Sequence, residues 1–255
     1  MDLMAQIQTK ARSNHQEKTV KVGIGLADRK ATIDESVKIA EENNYAEVVI
    51  FETADELLNA LGNNEINGAV RGTLSATDVV KSLRSVFGID HLMRLACLKL
   101  PLADKYIFVA PVGIDEGLNI DQKLEFIKLG NDFIKKLDIE PSIGILASGR
   151  PEDRDRSPEI AEAIDAADKL VELARDQNLE VDNYGILIEE AVQNCNFIIM
   201  PDGVTGNLIF RTLYFLGGAV AIGAPVLNLP KIFIDTSRSK RSYVESIAFA
   251  SGLVD

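Results

Sequence analysis

The chain has 255 residues, 46% of them hydrophobic, enough to fill one large or two modest α/β domains around a sizeable core. Its formal net charge is −12, which disfavours non-specific binding to nucleic acid. No apolar run approaches the roughly 18–20 residues of a membrane span, and the N-terminus is polar rather than leader-like, with Lys10, Arg12, Glu17 and Lys18. Cys97 and Cys195 are far apart, each in an apolar run, and read as buried thiols. The expectation is a cytoplasmic protein in a reducing compartment, with neither membrane nor nucleic acid as partner.

Short apolar runs of strand length alternate with longer amphipathic ones. In chain order the pattern predicts a strand at 20–26, a helix at 32–43, strands at 46–51 and 68–71, and a helix at 77–87. Two strands, 93–98 and 106–110, come next and can pair antiparallel across the less regular segment 99–105. A helix at 122–137, a strand at 142–146, a charged loop at 148–158 and a helix at 158–176 follow. The last part predicts strands at 196–200, 219–222 and 232–234, a helix at 208–216, and a turn leading into a final helical segment at 243–253. Such alternation argues for an α/β fold with helices flanking mostly parallel sheets.

The most informative stretch runs from Cys195 to Ser239. A strand-length run, Phe197-Ile198-Ile199-Met200, breaks at Pro201-Asp202-Gly203, and Thr205-Gly206-Asn207 opens the next helical pattern. Further on, Asp235-Thr236-Ser237-Arg238 follows another strand. Acidic and amide groups at one strand-to-helix junction, with hydroxyls and a guanidinium near another, suit a phosphorylated ligand. Helix N-termini offer free N–H groups to anions, and Arg adds a bidentate fork.

These residues resemble the phosphate acetyltransferase and butyryltransferase family. Its members carry a Pro-Asp-X-X-X-Gly-Asn segment, an Ala-X-Ala-X-Gly-Pro-like run and an Asp-Leu-Ser-Arg turn. The counterparts are residues 201–207, residues 218–225 and Asp235-Thr236-Ser237-Arg238. Weaker likeness extends to Gly68-Ala69-Val70-Arg71-Gly72, to the helix with Arg84, and to Ser148-Gly149-Arg150. The chain looks most like a diverged methanogen branch labelled as methyltransferase-related methanogenesis marker proteins and also called predicted phosphotransacetylases.

The resemblance implies a two-domain fold like that of isocitrate and isopropylmalate dehydrogenases. Residues 1–88 plus 230–255 would form one domain and 89–229 the other, with the site in the cleft between them. It implies exchange of an acyl group between coenzyme A and phosphate, with coenzyme A as substrate. No tightly bound cofactor and no metal would be needed, and a homodimer is expected. Two other readings stay open: a methyltransferase or methyl-transfer accessory protein of methanogenesis, and a non-catalytic binding or scaffold protein on the same fold.

Site roles carry over residue by residue. Ser237 and Arg238 match the family's active-site pair; the bland alternative is a helix cap with a surface arginine. Glu245 matches the family's acidic base after one inserted residue, or is a solvated carboxylate. Asp202, Thr205 and Asn207 sit where an open α/β sheet presents residues to its ligand crevice, or form a capping cluster alone. Arg211 stands where the family has Lys, and Phe215 where it has a functional Arg. Arg84 matches a family arginine that could reach coenzyme phosphates, and Arg150 stands near the family's loop lysine; either could instead be a surface ion pair. A glycine-bearing first turn, Gly23 to Asp28, with Glu52 closing the next strand, is a weak nucleotide or S-adenosylmethionine signal. His15 and His91 have no ligand-spaced companions, which argues against a histidine metal site or a serine triad.

Overall fold

Each predicted strand in the chain has a counterpart in the computed structural model, which describes residues 2–101 and 105–254. In chain order the elements are α1 (Leu3–Lys18), β1 (Lys21–Gly25), α2 (Lys30–Glu42), β2 (Glu47–Phe51), α3 (Ala54–Gly62), β3 (Gly68–Val70) and α4 (Ala76–Phe87). They continue with β4 (Ala96–Leu100), β5 (Lys105–Ala110), α5 (Ile120–Lys136), β6 (Ile143–Ile145), α6 (Pro158–Arg175), β7 (Val181–Asn183) and α7 (Ile188–Asn194). The last are β8 (Phe197–Ile199), α8 (Gly203–Arg211), β9 (Val220–Pro225), β10 (Ile232–Asp235) and α9 (Val244–Gly252). The chain divides into two units, Met1–Leu92 with Ile222–Asp255, and Met93–Ala221. The second boundary falls inside β9 rather than at residue 229.

In the first unit β1 pairs in parallel with β2 and β3, β3 pairs in parallel with β10, and β9 runs antiparallel to β10. Successive strand residues face opposite sides, and β3 shows the result. Gly68 faces Ala250 of α9, whereas its neighbour Ala69 joins Leu57, Leu58, Leu61, Leu83 and Phe233 in the cluster beneath α3 and α4. Helix α9 is buried from Ser246 to Gly252, where its residues are small or apolar. Helix α1 covers it with Leu3, Ile7 and Ala11, and Asn14 Nδ2 donates to the carbonyls of Ser251 (3.0 Å) and Val254 (2.6 Å) beyond its end.

In the second unit β8 lies between β5 and β6, β7 pairs with β6, and all these pairings are parallel. Strand β4 runs antiparallel to β5, as the sequence pattern allows. Positions 102–104 of the irregular segment lie outside the described residues. Phe197, Ile198 and Ile199 are all buried, the continuous apolar run of a strand covered on both faces. Cys97 and Cys195 are both free and buried here. No described helix is long and apolar enough to cross a membrane.

Three local expectations need correction. The polar N-terminal stretch is the 16-residue helix α1, capped by Asp2 through Met4 N (2.9 Å) and Ala5 N (3.2 Å). The charged loop at 148–158 contains a 3₁₀ turn, Pro151–Arg156, because Asp153 accepts from Arg150 N (3.0 Å) and closes it. Helix α8 starts two residues before Thr205, and its cap is Asp202, not Thr205. It ends in a π-type turn, Thr212–Leu216. Strand β7 and helices α3 and α7 had no predicted counterpart.

Close approach fixes α8 against the segment after β5. A Cβ at Gly203 would lie 1.6 Å from the Gly113 carbonyl oxygen, and one at Gly206 would lie 1.9 Å from that of Pro111. That segment is itself pinned by buried Glu116, whose carboxylate accepts from Gly113 N (2.8 Å) and Arg94 Nε (2.6 Å). Gly203→Ala must therefore push α8 off the backbone it rests on. A loss of about 1–3 kcal/mol or more is expected, read by urea denaturation beside the exposed control Val204→Ala. Equal stability of the two variants would show that the contact is soft.

Candidate functional site

The turn after β10 is where sequence reasoning placed Ser237 and Arg238, and it is braced from three sides of the first unit, by Arg71, Tyr243 and Arg29. Arg71, buried at the end of β3, contacts the Asp235 carboxylate and the Thr236 carbonyl with its guanidinium, and donates to Leu74 O (3.3 Å) as well. Tyr243 OH donates to the carbonyls of Ser237 (3.1 Å) and Arg238 (3.2 Å). Arg29 Nη1 reaches the carbonyls of Arg238 (3.0 Å) and Lys240 (2.8 Å). These donors satisfy the carbonyls of the turn and leave its side chains for other work. Ser237 is half-buried, and its hydroxyl accepts from Ser239 N (3.3 Å). Arg238 is exposed and pairs with Asp28 at 3.0 Å.

Glu245 opens α9 and does not stand alone. Its carboxylate lies 3.4 Å from the ammonium of Lys240, which is buried and also donates to Ser246 Oγ (2.9 Å) and Ile222 O (3.4 Å). Burial pushes the Lys240 pKa down, and Glu245 opposes the shift. Lys240, Arg71, Arg29 and Tyr243 were not singled out as site residues. The sequence carried one signal, the cluster Arg238, Lys240 and Arg241 after an apolar strand, but which cation turns inward depends on packing against Ser246, Glu245 and the Ile222 carbonyl 18 residues away.

In the second unit Asp202, Thr205 and Asn207 gather at the start of α8. Asp202 accepts from Thr205 N (2.7 Å) and Thr205 Oγ1 (3.1 Å), so the carboxylate itself fills the anion position at this helix N-terminus. Asn207 Nδ2 donates to Val112 O (2.9 Å). Arg211 is exposed at the other end of α8, with its guanidinium 5.0 Å above the Phe215 ring, a cation–π pair. The two residues that depart from the family pattern thus stack on each other. Arg150 is occupied as well: its Nε lies 3.2 Å from Asp153 and 3.3 Å from Glu152, and the bonds from Arg150 hold the Asp153 carboxyl below its usual range. In the first unit Arg84 is exposed in the last turn of α4, roughly 12 Å along the helix from its start.

The glycine-bearing first turn does not hold open space. A Cβ at Gly23 would meet Ile66 and Leu57 side chains at 2.6 and 2.7 Å, and one at Gly25 would meet Leu74 at 2.3 Å. Both glycines admit packing within the unit. Asp28, at the end of that turn, is the partner of Arg238. Among the described residues no group of three or more His, Cys, Asp or Glu is arranged to hold a metal ion.

No family model matches the chain. Among solved structures, a branched-chain phosphotransacylase from Enterococcus faecalis V583 shares the fold at a TM-score of 0.71 and 16% identity, over 92% of this chain and 99% of that one. A phosphotransacetylase from Streptococcus pyogenes does so at 0.68 and 16%, over 97% and 98%. A 4-hydroxythreonine-4-phosphate dehydrogenase from Burkholderia phymatum follows at 0.52 and 14%, over 99% and 89%. The α/β fold is therefore that of phosphotransacetylases and this group of dehydrogenases; at such identities the likeness concerns fold alone.

Sequence relatives are much nearer. A Methanosarcina mazei protein named "Putative methyltransferase mtx subunit X" is 36% identical over 270 aligned positions, covering 98% of this chain and 95% of that protein. Its Methanosarcina barkeri namesake is 35% identical over 263, covering 96% and 95%. A Methanocaldococcus jannaschii protein described as an uncharacterized methyltransferase is 34% identical over 238, covering 90% and 96%. By identity and coverage, the chain belongs to this methanogen family of mtx subunit X proteins.

Proposed function

We propose that the protein exchanges an acyl group between coenzyme A and phosphate, as a diverged phosphotransacylase. The observation that carries the reading is the braced turn Asp235–Lys240, which presents a serine hydroxyl and an arginine beside a Lys240–Glu245 pair on a phosphotransacylase fold. In this reading Ser237 and Arg238 hold the phosphate of an acyl phosphate, and Glu245 takes the proton from the coenzyme A thiol. The sulfur attacks the acyl carbon, the carbon–oxygen bond to phosphate breaks, and phosphate leaves with that electron pair. Positioning and charge stabilisation supply the rate. Asp202, Thr205, Asn207, Arg211, Arg84 and Arg150 remain proposed substrate contacts; a phosphate reaching Arg150 or Arg211 must displace the partners described above.

A second reading, methyl transfer, is favoured by the names of the methanogen relatives. The two readings separate on ligand choice. Calorimetric titration with coenzyme A, phosphate and S-adenosylmethionine, beside a thiol-consumption assay with acetyl phosphate, decides between them. The acyl reading expects coenzyme A and phosphate to bind, with turnover below the typical enzyme level of about 10 per second, lowered further in Glu245→Gln. Binding of S-adenosylmethionine without coenzyme A would move the protein to the second reading.

Arg238 and Asp28 give a sharper test. Their exposed pair contributes little to folding, about 0–1 kcal/mol, but it ties up the guanidinium. Asp28→Asn is expected to leave stability nearly unchanged and to tighten phosphate binding. Arg238→Ala is expected to weaken it by roughly 1.5–3 kcal/mol, the worth of a charged hydrogen bond. Identical phosphate affinities in wild type and both variants would remove Arg238 from the site.

Lys240 predicts a pH dependence. Its folded pKa lies below the ordinary lysine value, so between that lowered value and about 10.4 the unfolded chain binds more protons than the folded one. Its contribution to stability is therefore present above about pH 10.4 and is lost as pH falls through the folded value. Wild type should gain stability relative to Lys240→Met between about pH 7 and about pH 10. Urea denaturation of both proteins at the two values measures this, and a difference that is flat or falls with pH contradicts the burial of a strained ammonium.

A further inference from the structure

The second unit contains a cavity of about 250 Å³ at the C-terminal ends of β6 and β8. Its lining includes Ile145 and Ile199 from those strands, Ala163, Ala167 and Leu170 of α6, and the polar residues Asn119, Lys123, Ser148 and Asp202. Ligands of open α/β sheets bind at this edge, beyond the carboxyl ends of parallel strands. Every lining residue belongs to the unit Met93–Ala221.

Lys123 is the unexplained member. It lies near the start of α5, where the positive end of the helix repels a cation. Burial pushes its amine below the usual lysine value, with Asp202 only opposing the shift. Among the described residues its ammonium forms no hydrogen bond and no ion pair within 4 Å. The ammonium at the cavity edge therefore takes its hydrogen bonds from solvent and stays available to an anion, while its stem is partly buried. The neighbouring Asp202 acts on Lys123 through its charge but is held at the α8 N-terminus, accepting from Thr205 N and Thr205 Oγ1, and forms no direct ion pair with it.

We infer that this cavity is a binding site for a small carboxylate with an apolar body, its oxyanion on Lys123 and its carbon skeleton against Ile145, Ile199 and the alanines of α6. The size fits: an apolar cavity of about 150 Å³ accepts benzene, so this one has room for a body of that size and a polar head. An amine would meet Lys123 as a like charge and find Asp202 already hydrogen-bonded. A neutral apolar molecule would leave the ammonium unpaired. The inference does not rest on acyl exchange, since it concerns a free carboxylate held within one unit.

The test is titration of the full chain with benzoate and hexanoate, read by calorimetry and by saturation-transfer NMR, with benzylamine and benzyl alcohol as matched controls. Both carboxylates are expected to bind, and the amine and alcohol at least about tenfold more weakly. Lys123→Met, which keeps the shape and removes the charge, should lose at least about tenfold in carboxylate affinity. It should be no less stable than wild type. Ala163→Leu fills the cavity from half-buried α6 and should abolish binding of both acids. Absence of carboxylate binding to wild type at about 10 mM, equal affinity in Lys123→Met, or tighter binding of benzylamine would each overturn the proposal. If Lys123→Met does not fold, the wild-type ranking of acid, amine and alcohol, with the loss in Ala163→Leu, decides alone.

Discussion

One buried guanidinium sets the geometry on which the candidate chemistry of the first unit depends. Arg71 ends β3 and grips the end of β10 through Asp235 and the Thr236 carbonyl. Breaking such a pair from one side typically costs about 3–5 kcal/mol, because the other charge is left buried without compensation. The strand ends are therefore locked in register, and the chain leaves β10 in one direction. From there Tyr243 and Arg29 take up the carbonyls of the next residues, and Lys240 folds inward under α9. Two guanidiniums, of Arg71 and Arg29, and the Tyr243 hydroxyl converge on the carbonyls of the turn. That arrangement holds the loop through its carbonyls and through the side chains of Asp235 and Lys240, and leaves the Ser237 and Arg238 side chains at its surface.

The net charge of −12 explains a second regularity. In a chain with excess carboxylate, an arginine seldom stays free. Arg150 is held by Asp153 and Glu152, Arg94 by Glu116, Arg71 by Asp235 and Arg238 by Asp28. These pairs differ in how easily a ligand could replace the carboxylate. Asp153 also closes a 3₁₀ turn, and Glu116 also holds the backbone on which α8 rests, so neither can leave without local unfolding. The Arg238–Asp28 pair is exposed and carries no other structural duty that its contacts reveal. An incoming phosphate competes there against an interaction of roughly 1 kcal/mol or less. Of these four paired arginines, Arg238 is the one most readily turned toward an anion.

The strands were legible because runs such as Phe197-Ile198-Ile199 are apolar, short and followed by Pro or Gly. Helix α1 was hidden because its buried positions, Leu3, Ile7 and Ala11, recur only every fourth residue and leave the rest polar. Strand β7 was hidden because two of its three residues, Asp182 and Asn183, are exposed and polar. At the site, the turn with Ser237 and Arg238 could be read from its residues, since position after a strand and chemistry coincide. Lys240 and Lys123 could not. A lysine in sequence is ordinarily a solvated face, and only tertiary packing shows that these two are desolvated, one with partners and one without.

That contrast bears on what kind of protein carries this fold. A fold shared by phosphotransacetylases and phosphate-ester dehydrogenases restricts where chemistry can occur, not which chemistry does. The methanogen family adds identity across nearly the whole chain. Within this protein buried Lys240 marks a place where sequence and fold are least in accord, whereas Lys123 is only partly buried. Lys240 meets the cost of burial with hydrogen bonds to Ser246 and Ile222 and a carboxylate at its side. The Lys123 ammonium has no direct partner among the described residues and reaches solvent at the cavity edge, where an anion could replace water. The electrostatics thus assign the two units different tasks: the first rigidifies a turn, and the second keeps a cation in reserve beside an apolar cavity.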